Sequence, residues 1–314
     1  MADRDPQPSS RASRSSRTSH AARTSAPAAW RSRPRQVRPT VLILGGFLTL
    51  PPLYGGLARR LLARGAAGVV VARVWTPDWV LLAARGPLAI ATRSGRALLQ
   101  AGRLAAEVSE GAPVLVVGHS AGGLIARLLT APDPVRGRRF AAAGRIGAIV
   151  TLGTPHALAN GQGIGRRLRD SLAAVVDEVA PGTLHSPRIG YVSVASRAVR
   201  GDPAGTGRER VAHLLYRSVV GRAAAPDTEG DGLVPVVSAV LPGSRAVVLE
   251  GAIHGPSGGT AWYGSEEILD AWWPEALAAW HDALAIRAGS DAKARPSKPS
   301  AETPARRSRR SPGV

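Results

Sequence analysis

Residues 114–129 have the sequence VLVVGHSAGGLIARLL, which is the most specific local pattern in the chain. Four apolar residues at its start predict a buried strand, and the apolar residues at its end predict a helix. The Gly-x-Ser-x-Gly segment between them predicts a sharp turn that holds Ser120 in a strained backbone conformation. Residues two positions before and after such a serine approach each other, so only positions with little or no side chain fit. The following helix would present its first backbone N–H groups beside the serine.

Further apolar runs alternate with helix-like segments on both sides of this motif. The predicted strands are 41–44, 69–74, 114–117, 146–152, 191–195 and 246–249, and helices are predicted over 53–64 and 92–109 and from about 265 onward. Strands that are apolar throughout and alternate with helices are typical of a mostly parallel sheet covered on both faces. The sequence therefore predicts an α/β fold. The interval 157–190 lacks a clear strand and is where a helical cap could be inserted.

The last helix contains an internal proline and several tryptophans. Pro274 is expected to kink or restart this helix, because proline lacks the N–H that an interior position donates. Trp272, Trp273 and Trp280 are expected to pack in the core rather than to form a binding stripe.

The strand, the Gly-x-Ser-x-Gly turn and the helix together resemble the nucleophile elbow of the α/β-hydrolase fold. Over residues 40–275 the chain resembles the lipase/esterase branch of that superfamily, through LGTPH at 152–156 and GDGLVP at 230–235. The segment LEGAIHGP at 249–256, followed by WYGS at 262–265, is similar to a hydrolase subgroup from cyanobacteria and plastids. The resemblance implies Ser120 as nucleophile, Asp231 as orienting acid and His254 as base. Many members have His-Gly where this chain has Gly45-Gly46.

The residues themselves favour the same three side chains. A serine hydroxyl needs a base within hydrogen-bond reach, and the base needs a carboxylate to orient it. In the α/β-hydrolase fold these residues follow in the order serine, acid, histidine. His254 fits this order best, because it lies in a glycine-flanked loop after the last predicted strand. Asp231, between two glycines, is the first choice for the acid, and Asp202 is the alternative because it follows strand 191–195 more directly. Asp227 and Glu229 are weaker candidates.

An oxyanion hole requires two backbone donors beside the serine. The N–H of Ala121, directly after the nucleophile, is one expected donor, and the N–H of Phe47, after the first core strand, is the other. Trp75, Trp79 and His156 are candidate substrate-binding residues, because they follow predicted strands on the same side as the motif.

The two ends of the chain differ from the rest in composition. Residues 1–39 carry nine arginines against two aspartates, and residues 289–314 carry seven basic residues against two acidic ones. Such segments have too little apolar surface to fold, so both are predicted to be disordered tails flanking a catalytic domain at 40–288. Basic tails could contact an anionic membrane surface, nucleic acid or an acidic partner, but the favoured interpretation is an arginine-biased composition that gives solvated tails. Nucleic acid is not expected, because the charges are not regularly interleaved with aromatic residues.

The chain of 314 residues contains no cysteine and has a net charge of +19. The absence of cysteine excludes disulfides and thiolate metal sites and is consistent with a reducing compartment. We therefore expect a cytoplasmic location, with a plastid as the alternative if residues 1–39 act as a transit peptide. The spacing of acidic residues and histidines indicates no zinc or calcium site, so neither a metal nor another cofactor is expected.

These features predict a serine hydrolase that cleaves carboxylic esters, with a lipid or another long-acyl ester as the expected small-molecule substrate. An acyltransferase or a thioesterase would use the same three residues, because fold and nucleophile do not determine the acceptor. A binding protein without catalytic activity, acting through its basic tails, is the alternative from another class.

Overall fold

The computed structural model of the protein describes residues 37–157, 164–221, 227–256 and 261–294. Its strands are β1 (Thr40–Leu44), β2 (Gly68–Val71), β3 (Val114–His119), β4 (Ile146–Leu152), β5 (Gly190–Ser196), β6 (Val199–Arg200), β7 (Glu229–Gly230) and β8 (Arg245–Leu249). Its α-helices are α1 (Gly55–Ala63), α2 (Thr76–Arg85), α3 (Leu88–Val108), α4 (Ala121–Leu128), α5 (Ile164–Val179), α6 (Gly207–Val220), α7 (Val236–Ala239) and α8 (Glu266–Ala294).

Six strands form one sheet in the order β2-β1-β3-β4-β5-β8, and every neighbouring pair in it is parallel. The short strands β6 and β7 pair with each other outside this sheet. The prediction of a mostly parallel sheet is confirmed. Because the strands run in one direction, the loops that follow them meet at one edge, where ligands bind in open α/β sheets.

Strand β1 shows why the strands are apolar along their whole length. Val41 and Ile43 belong to a core that includes residues of α1 and α8, whereas Leu42 and Leu44 belong to a second core with α3, α4 and α5. All four side chains are buried. Side chains alternate between the two faces of a strand, so a sheet covered on both faces has no position that favours a polar residue.

Three of the α-helices, α2, α6 and the four-residue α7, were not predicted from the sequence. Helix α2 begins at Thr76, five residues after β2 ends, where the sequence analysis predicted no helix. Helix α6 begins with a capping box between Thr206 and Glu209. The Thr-x-x-Glu spacing is a known signal for a helix start, so α6 was detectable in the sequence.

Helix α8 packs along the sheet through its tryptophans. Trp272, Trp273 and Trp280 are buried, which confirms their expected packing role. Helix α8 runs without interruption through Pro274, so the helix does not restart there, and the alternative expectation of a kink stays a prediction. Buried residues lie on both sides of the proline and hold both halves of the helix against the same core.

Replacing Trp280 by alanine should lower the free energy of unfolding by about 3–5 kcal/mol. The substitution removes a fully buried ring and the indole N–H that donates to the Pro113 carbonyl at 2.7 Å. Trp75, which is 43% exposed, provides the matched control, and Trp75→Ala should change stability by no more than about 0.5 kcal/mol. Urea denaturation of both variants measures the difference, and equal losses would contradict the assignment of Trp280 to the core.

The structure describes only part of the predicted tails and cap. Helix α8 continues to Ala294, whereas residues 1–36 and 295–314 lie outside the described residues. Within the predicted cap, α5 buries Leu172 and Val176 in the core, and residues 158–163 lie outside the description. In the described ranges, no helix combines the length and the apolar character that a membrane span requires.

Candidate active site

Ser120 lies in the turn between β3 and α4 with φ 53° and ψ −128°. Residues other than glycine rarely adopt such a backbone conformation, and they do so mostly at functional sites. The turn also requires glycine around it. A Cβ on Gly118 would lie 2.5 Å from the Cα of Gly123, and a Cβ on Gly122 would lie 2.2 Å from the carbonyl oxygen of Leu44. The steric role predicted for these glycines is confirmed.

Hydrogen bonds to and from the end of β4 hold this turn in place. The N–H of Ser120 donates to the carbonyl of Leu152, and the hydroxyl of Thr154 donates to the carbonyl of Ser120, both at 2.8 Å. Gly123 leaves room for Thr154, because a Cβ there would lie 2.1 Å from the threonine hydroxyl. The LGTPH segment therefore supports the serine turn.

Asp231 and His254 form a direct pair. The Nδ1 of His254 lies 2.8 Å from Oδ2 of Asp231, and the backbone N–H of His254 donates to the Asp231 carbonyl. Oδ1 of the same carboxylate accepts the N–H groups of Leu233 and Val234. This arrangement orients the imidazole and leaves its Nε2 available for a second partner.

The environment of Asp231 favours its ionised form. Burial by itself would raise the pKa of Asp231, but the charge and hydrogen bond of His254 and the backbone donors outweigh it, so the pKa lies below its ordinary value. Asp231 is 1% exposed, so its charge is neutralised by these neighbours rather than by solvent.

Tyr263 is a further partner of Asp231 that the sequence analysis did not identify. Its hydroxyl donates to Oδ2 of Asp231 at 2.9 Å, and the ring is fully buried. Burial and the adjacent negative charge raise the pKa of Tyr263 well above its ordinary value, so the hydroxyl stays protonated and remains a donor. The only signal in the sequence was the WYGS segment, which was used there as part of a resemblance.

The two predicted oxyanion donors lie together beside Ser120. Phe47 and Ala121 line the same cavity as the serine, and within the described residues neither backbone N–H has a hydrogen-bond acceptor. Gly46 allows this approach, because a Cβ there would lie only 2.8 Å from the Cβ of Ser120. The N–H of Gly46 is engaged with Tyr54, so the next N–H, that of Phe47, is the one available.

A cavity of about 420 Å³ opens at this site. Ser120 and His254 both line it, although the described residues show no hydrogen bond between them; catalytic hydrogen bonds are often long before substrate binds. The remaining wall is mostly apolar and includes Phe47, Leu53, Trp79, Leu124, Pro155, Leu172, Leu233, Val234 and Pro256. Such a wall suits an apolar ligand held beside a few polar groups.

The structure brings only one of the three candidate substrate-binding residues to the cavity. Trp79 lines it and packs edge-on against Phe47, with ring centroids 5.7 Å apart. Trp75 is partly exposed and does not line the cavity. His156 is buried away from it, with ring nitrogens that contact Thr151 and Arg127. His156 is therefore a packing residue here, because its polar atoms are already used inside the protein.

The alternative acids lie elsewhere in the described part of the chain. Asp202 accepts the backbone N–H of Ala204 in the turn before α6. Asp227 pairs with Arg200, and Glu229 lies 3.3 Å from Arg197. Of these candidates only Asp231 contacts His254. Within the described residues, no group of three or more potential ligands could hold a metal ion.

The architecture and the serine turn define the α/β-hydrolase fold, and comparison with known proteins agrees. The mature form of a Bacillus licheniformis lipase is similar, with a TM-score of 0.53 and 14% identity over 79% of this chain and 94% of that one. A family model described as a PGAP1-like alpha/beta domain matches residues 103–177, which contain the serine turn. The predicted resemblance to the α/β-hydrolase superfamily is thus confirmed at the level of the fold. Likeness to the cyanobacterial and plastid subgroup stays a prediction.

Two further structures match with lower scores. The propeptide form of the same lipase has a TM-score of 0.48 at 17% identity over 78% of this chain, and this chain spans about half (51%) of that longer one. A propionate-bound esterase from the Planctomycetes species Thermogutta terrifontis has a TM-score of 0.38 at 16% identity, over 85% of this chain and 86% of that one. No curated protein matches the sequence.

Replacing Tyr263 by phenylalanine should destabilise the protein in a pH-dependent way. The lost hydrogen bond to a buried carboxylate is worth about 1.5–3 kcal/mol at pH 7. The depressed pKa of Asp231 stabilises the folded state above the ordinary carboxyl pKa, and this stabilisation is lost as the pH falls through the folded-state pKa. The variant raises that folded-state pKa, so the difference in unfolding free energy from wild type should shrink in acid.

Tyr216→Phe provides the control for this measurement, since the buried hydroxyl of Tyr216 has two neutral backbone partners: it donates to the carbonyl of Val199 and accepts the N–H of Gly232. Its stability loss should be nearly independent of pH. Urea denaturation of both variants between pH 3 and pH 7 measures how each stability loss depends on pH. These limits lie about one pH unit below and three pH units above the ordinary carboxyl pKa. A loss for Tyr263→Phe that does not change with pH would contradict the role of Tyr263 as a donor to an ionised Asp231.

Proposed function

We propose that this protein is a serine hydrolase that cleaves carboxylic esters. Ser120 is the nucleophile, His254 is the general base and Asp231 is the acid that orients it. The observation that carries this proposal is the 2.8 Å contact between His254 and Asp231 at a cavity that Ser120 also lines. The likeness to a lipase structure and to the PGAP1-like family model supports the same class of protein.

The arrangement supports an acyl-enzyme mechanism. Ser120 attacks the ester carbonyl while Nε2 of His254 removes its proton, and the backbone N–H groups of Phe47 and Ala121 stabilise the oxyanion. His254 then protonates the leaving alcohol and activates water to release the acid. Throughout, the ionised Asp231 stabilises the imidazolium form of His254.

The proposed substrate has an apolar acyl group, as in a lipid or another long-acyl ester. The cavity wall beside Ser120 is largely apolar, and Leu172 of α5 closes one side of it. Helix α5 is tied to α4, because buried Arg127 pairs with Asp177 at 2.8 Å and also donates to the carbonyl of Ala180. The part of α5 around Leu172 therefore forms a fixed wall in the proposed acyl pocket, and the acyl-chain optimum should depend on residue 172.

Ser120→Ala should lose labelling by a fluorophosphonate probe and should lower kcat by about 10⁴-fold or more on p-nitrophenyl butyrate, because it removes the nucleophile. His254→Ala should also lose labelling, because the serine is then not activated. Tyr191→Phe is the control, since it removes a buried hydroxyl on β5 that contacts the N–H of His185 at 3.4 Å and the side chain of Thr130, away from the cavity lining. Near-normal turnover by folded Ser120→Ala would refute the proposed mechanism.

Leu172→Trp should shift the acyl-chain preference toward shorter esters, because the larger side chain fills part of the cavity. The ratio of kcat/KM for octanoate over butyrate should fall by about tenfold. Val237→Trp is the matched control, because Val237 is 69% exposed and does not line the cavity. A p-nitrophenyl ester series from acetate to palmitate measures the preference. An unchanged series for Leu172→Trp would show that the acyl chain binds elsewhere.

The acyltransferase and thioesterase alternatives use the same groups and differ in the acceptor or the leaving group. Product analysis with added alcohols, amines and thioesters distinguishes them from a hydrolase. The alternative of a binding protein makes the opposite prediction for the variants: removal of both basic tails abolishes its function, whereas Ser120→Ala does not.

We propose a cytoplasmic location and peripheral membrane contact through the tails on the basis of composition and charge alone.

A further inference from the structure

A buried chain of hydrogen bonds connects the loop after β1 with the loop that carries His254. The backbone N–H of Gly46 donates to the hydroxyl of Tyr54 at 2.8 Å. That hydroxyl lies 2.8 Å from Nδ1 of His119, and Nε2 of His119 lies 2.6 Å from the backbone carbonyl of His254. Tyr54 and His119 are both 2% exposed, so water does not compete for these contacts.

The two backbone groups at the ends of this hydrogen-bond network determine the position of each proton. The N–H of Gly46 can only donate and the carbonyl of His254 can only accept, so His119 carries its proton on Nε2. Nδ1 of His119 is therefore an acceptor, and the Tyr54 hydroxyl donates to it. Oγ1 of Thr49 is a second, longer acceptor for the Tyr54 hydroxyl at 3.1 Å, and Thr49 donates its own proton to the Gly46 carbonyl at 2.8 Å.

His119 is uncharged in this position. Burial, followed by the charge of His254, lowers the pKa of His119 to about 3, against opposing effects from the His254 carbonyl and Asp231. The rings of His119 and His254 lie 4.9 Å apart. A neutral His119 therefore allows His254 to take up a proton without facing a second positive charge.

The Tyr54 ring occupies space that a side chain at position 45 would fill. Position 45 is glycine, and a Cβ there would lie 2.8 Å from the Tyr54 ring. The ring reaches the N–H of Gly46 through that space. Because Phe47 follows directly, fixing Gly46 also fixes the proposed oxyanion donor.

We propose that Tyr54 and His119 are positioning residues that hold the oxyanion loop and His254 in a fixed relation to Ser120. Their hydrogen bonds end on Gly46, next to Phe47, and on the backbone of His254, while His119 itself precedes Ser120 in the chain. The oxyanion loop, His254 and Ser120 are thereby joined through one network. Small displacements of such groups reduce transition-state stabilisation strongly. This inference rests on the proposed hydrolase function.

Two conservative variants break the same link. Tyr54→Phe keeps the ring and removes the hydroxyl contacts with Gly46, His119 and Thr49. His119→Gln keeps a donor near the Nε2 position but places no acceptor at the Nδ1 position for Tyr54. Each should lower kcat on p-nitrophenyl butyrate by about tenfold or more, with KM changed by less than about twofold. Affinity for an alkylboronic acid, which forms a tetrahedral adduct with the serine, should fall in parallel with kcat.

The double variant and a matched control separate positioning from general destabilisation. If Tyr54 acts through His119, the double variant should lose no more activity than either single variant. Tyr191→Phe, which also removes a buried tyrosine hydroxyl, should leave kcat and boronate affinity unchanged. Multiplicative losses in the double variant, or kcat for Tyr54→Phe within twofold of that for Tyr191→Phe, would overturn the proposal.

An NMR measurement tests the network without using turnover. Imidazole nitrogen shifts of the full-length wild type should show His119 as the neutral Nε2–H tautomer, with no titration between about pH 5 and pH 8, the range over which an ordinary histidine titrates. Tyr54→Phe should change the Nδ1 shift, because that nitrogen loses its donor. A His119 that titrates near its ordinary pKa, or that carries its proton on Nδ1, would refute the network. A wild-type protein with this NMR signature but no labelling at Ser120 would instead refute the proposed function.

Discussion

The backbone conformation of Ser120 is the constraint on which the site depends. A non-glycine residue with φ 53° is stable only when its surroundings compensate for the strain. Here the compensation comes from Gly118 and Gly122, which let β3, α4 and the end of β1 approach closely, and from the hydrogen bonds at the end of β4. The central parallel strands therefore act as a rigid support that presents one hydroxyl at the edge where their loops meet.

The buried polar groups around that hydroxyl form two networks with different electrostatic roles. The network at Asp231 stabilises a negative charge, because His254, Tyr263 and two backbone N–H groups all donate to the carboxylate. The network at His119 is neutral and runs between two backbone groups. Both networks meet at His254, one at its side chain and the other at its carbonyl. The base is thus held at two points by interactions that water cannot replace.

Local patterns were sufficient wherever a short segment determines its own structure. The apolar runs predicted all six strands of the main sheet, and the spacing of glycines around Ser120 predicted the strained turn. The order of residues along the chain selected Asp231 and His254, which the structure brings into contact. Local patterns failed at α2, where no helix was predicted. At Pro274 the restart, one of the two expected outcomes, does not occur, because packing on both sides maintains the helix.

The sequence by itself determined the α/β architecture and the candidate nucleophile, acid and base. Periodicity and turn chemistry depend only on neighbouring residues, and the order of the three residues is given by the sequence. Only the tertiary structure decided which distant side chains support them. Tyr54, Tyr263 and Leu172 resemble ordinary core residues in the sequence, and each gains its role from a contact or a cavity made by segments far apart in the chain. For the same reason His156 and Trp75 could not be excluded in advance: their distance from the cavity depends on the packing of β4 and α2.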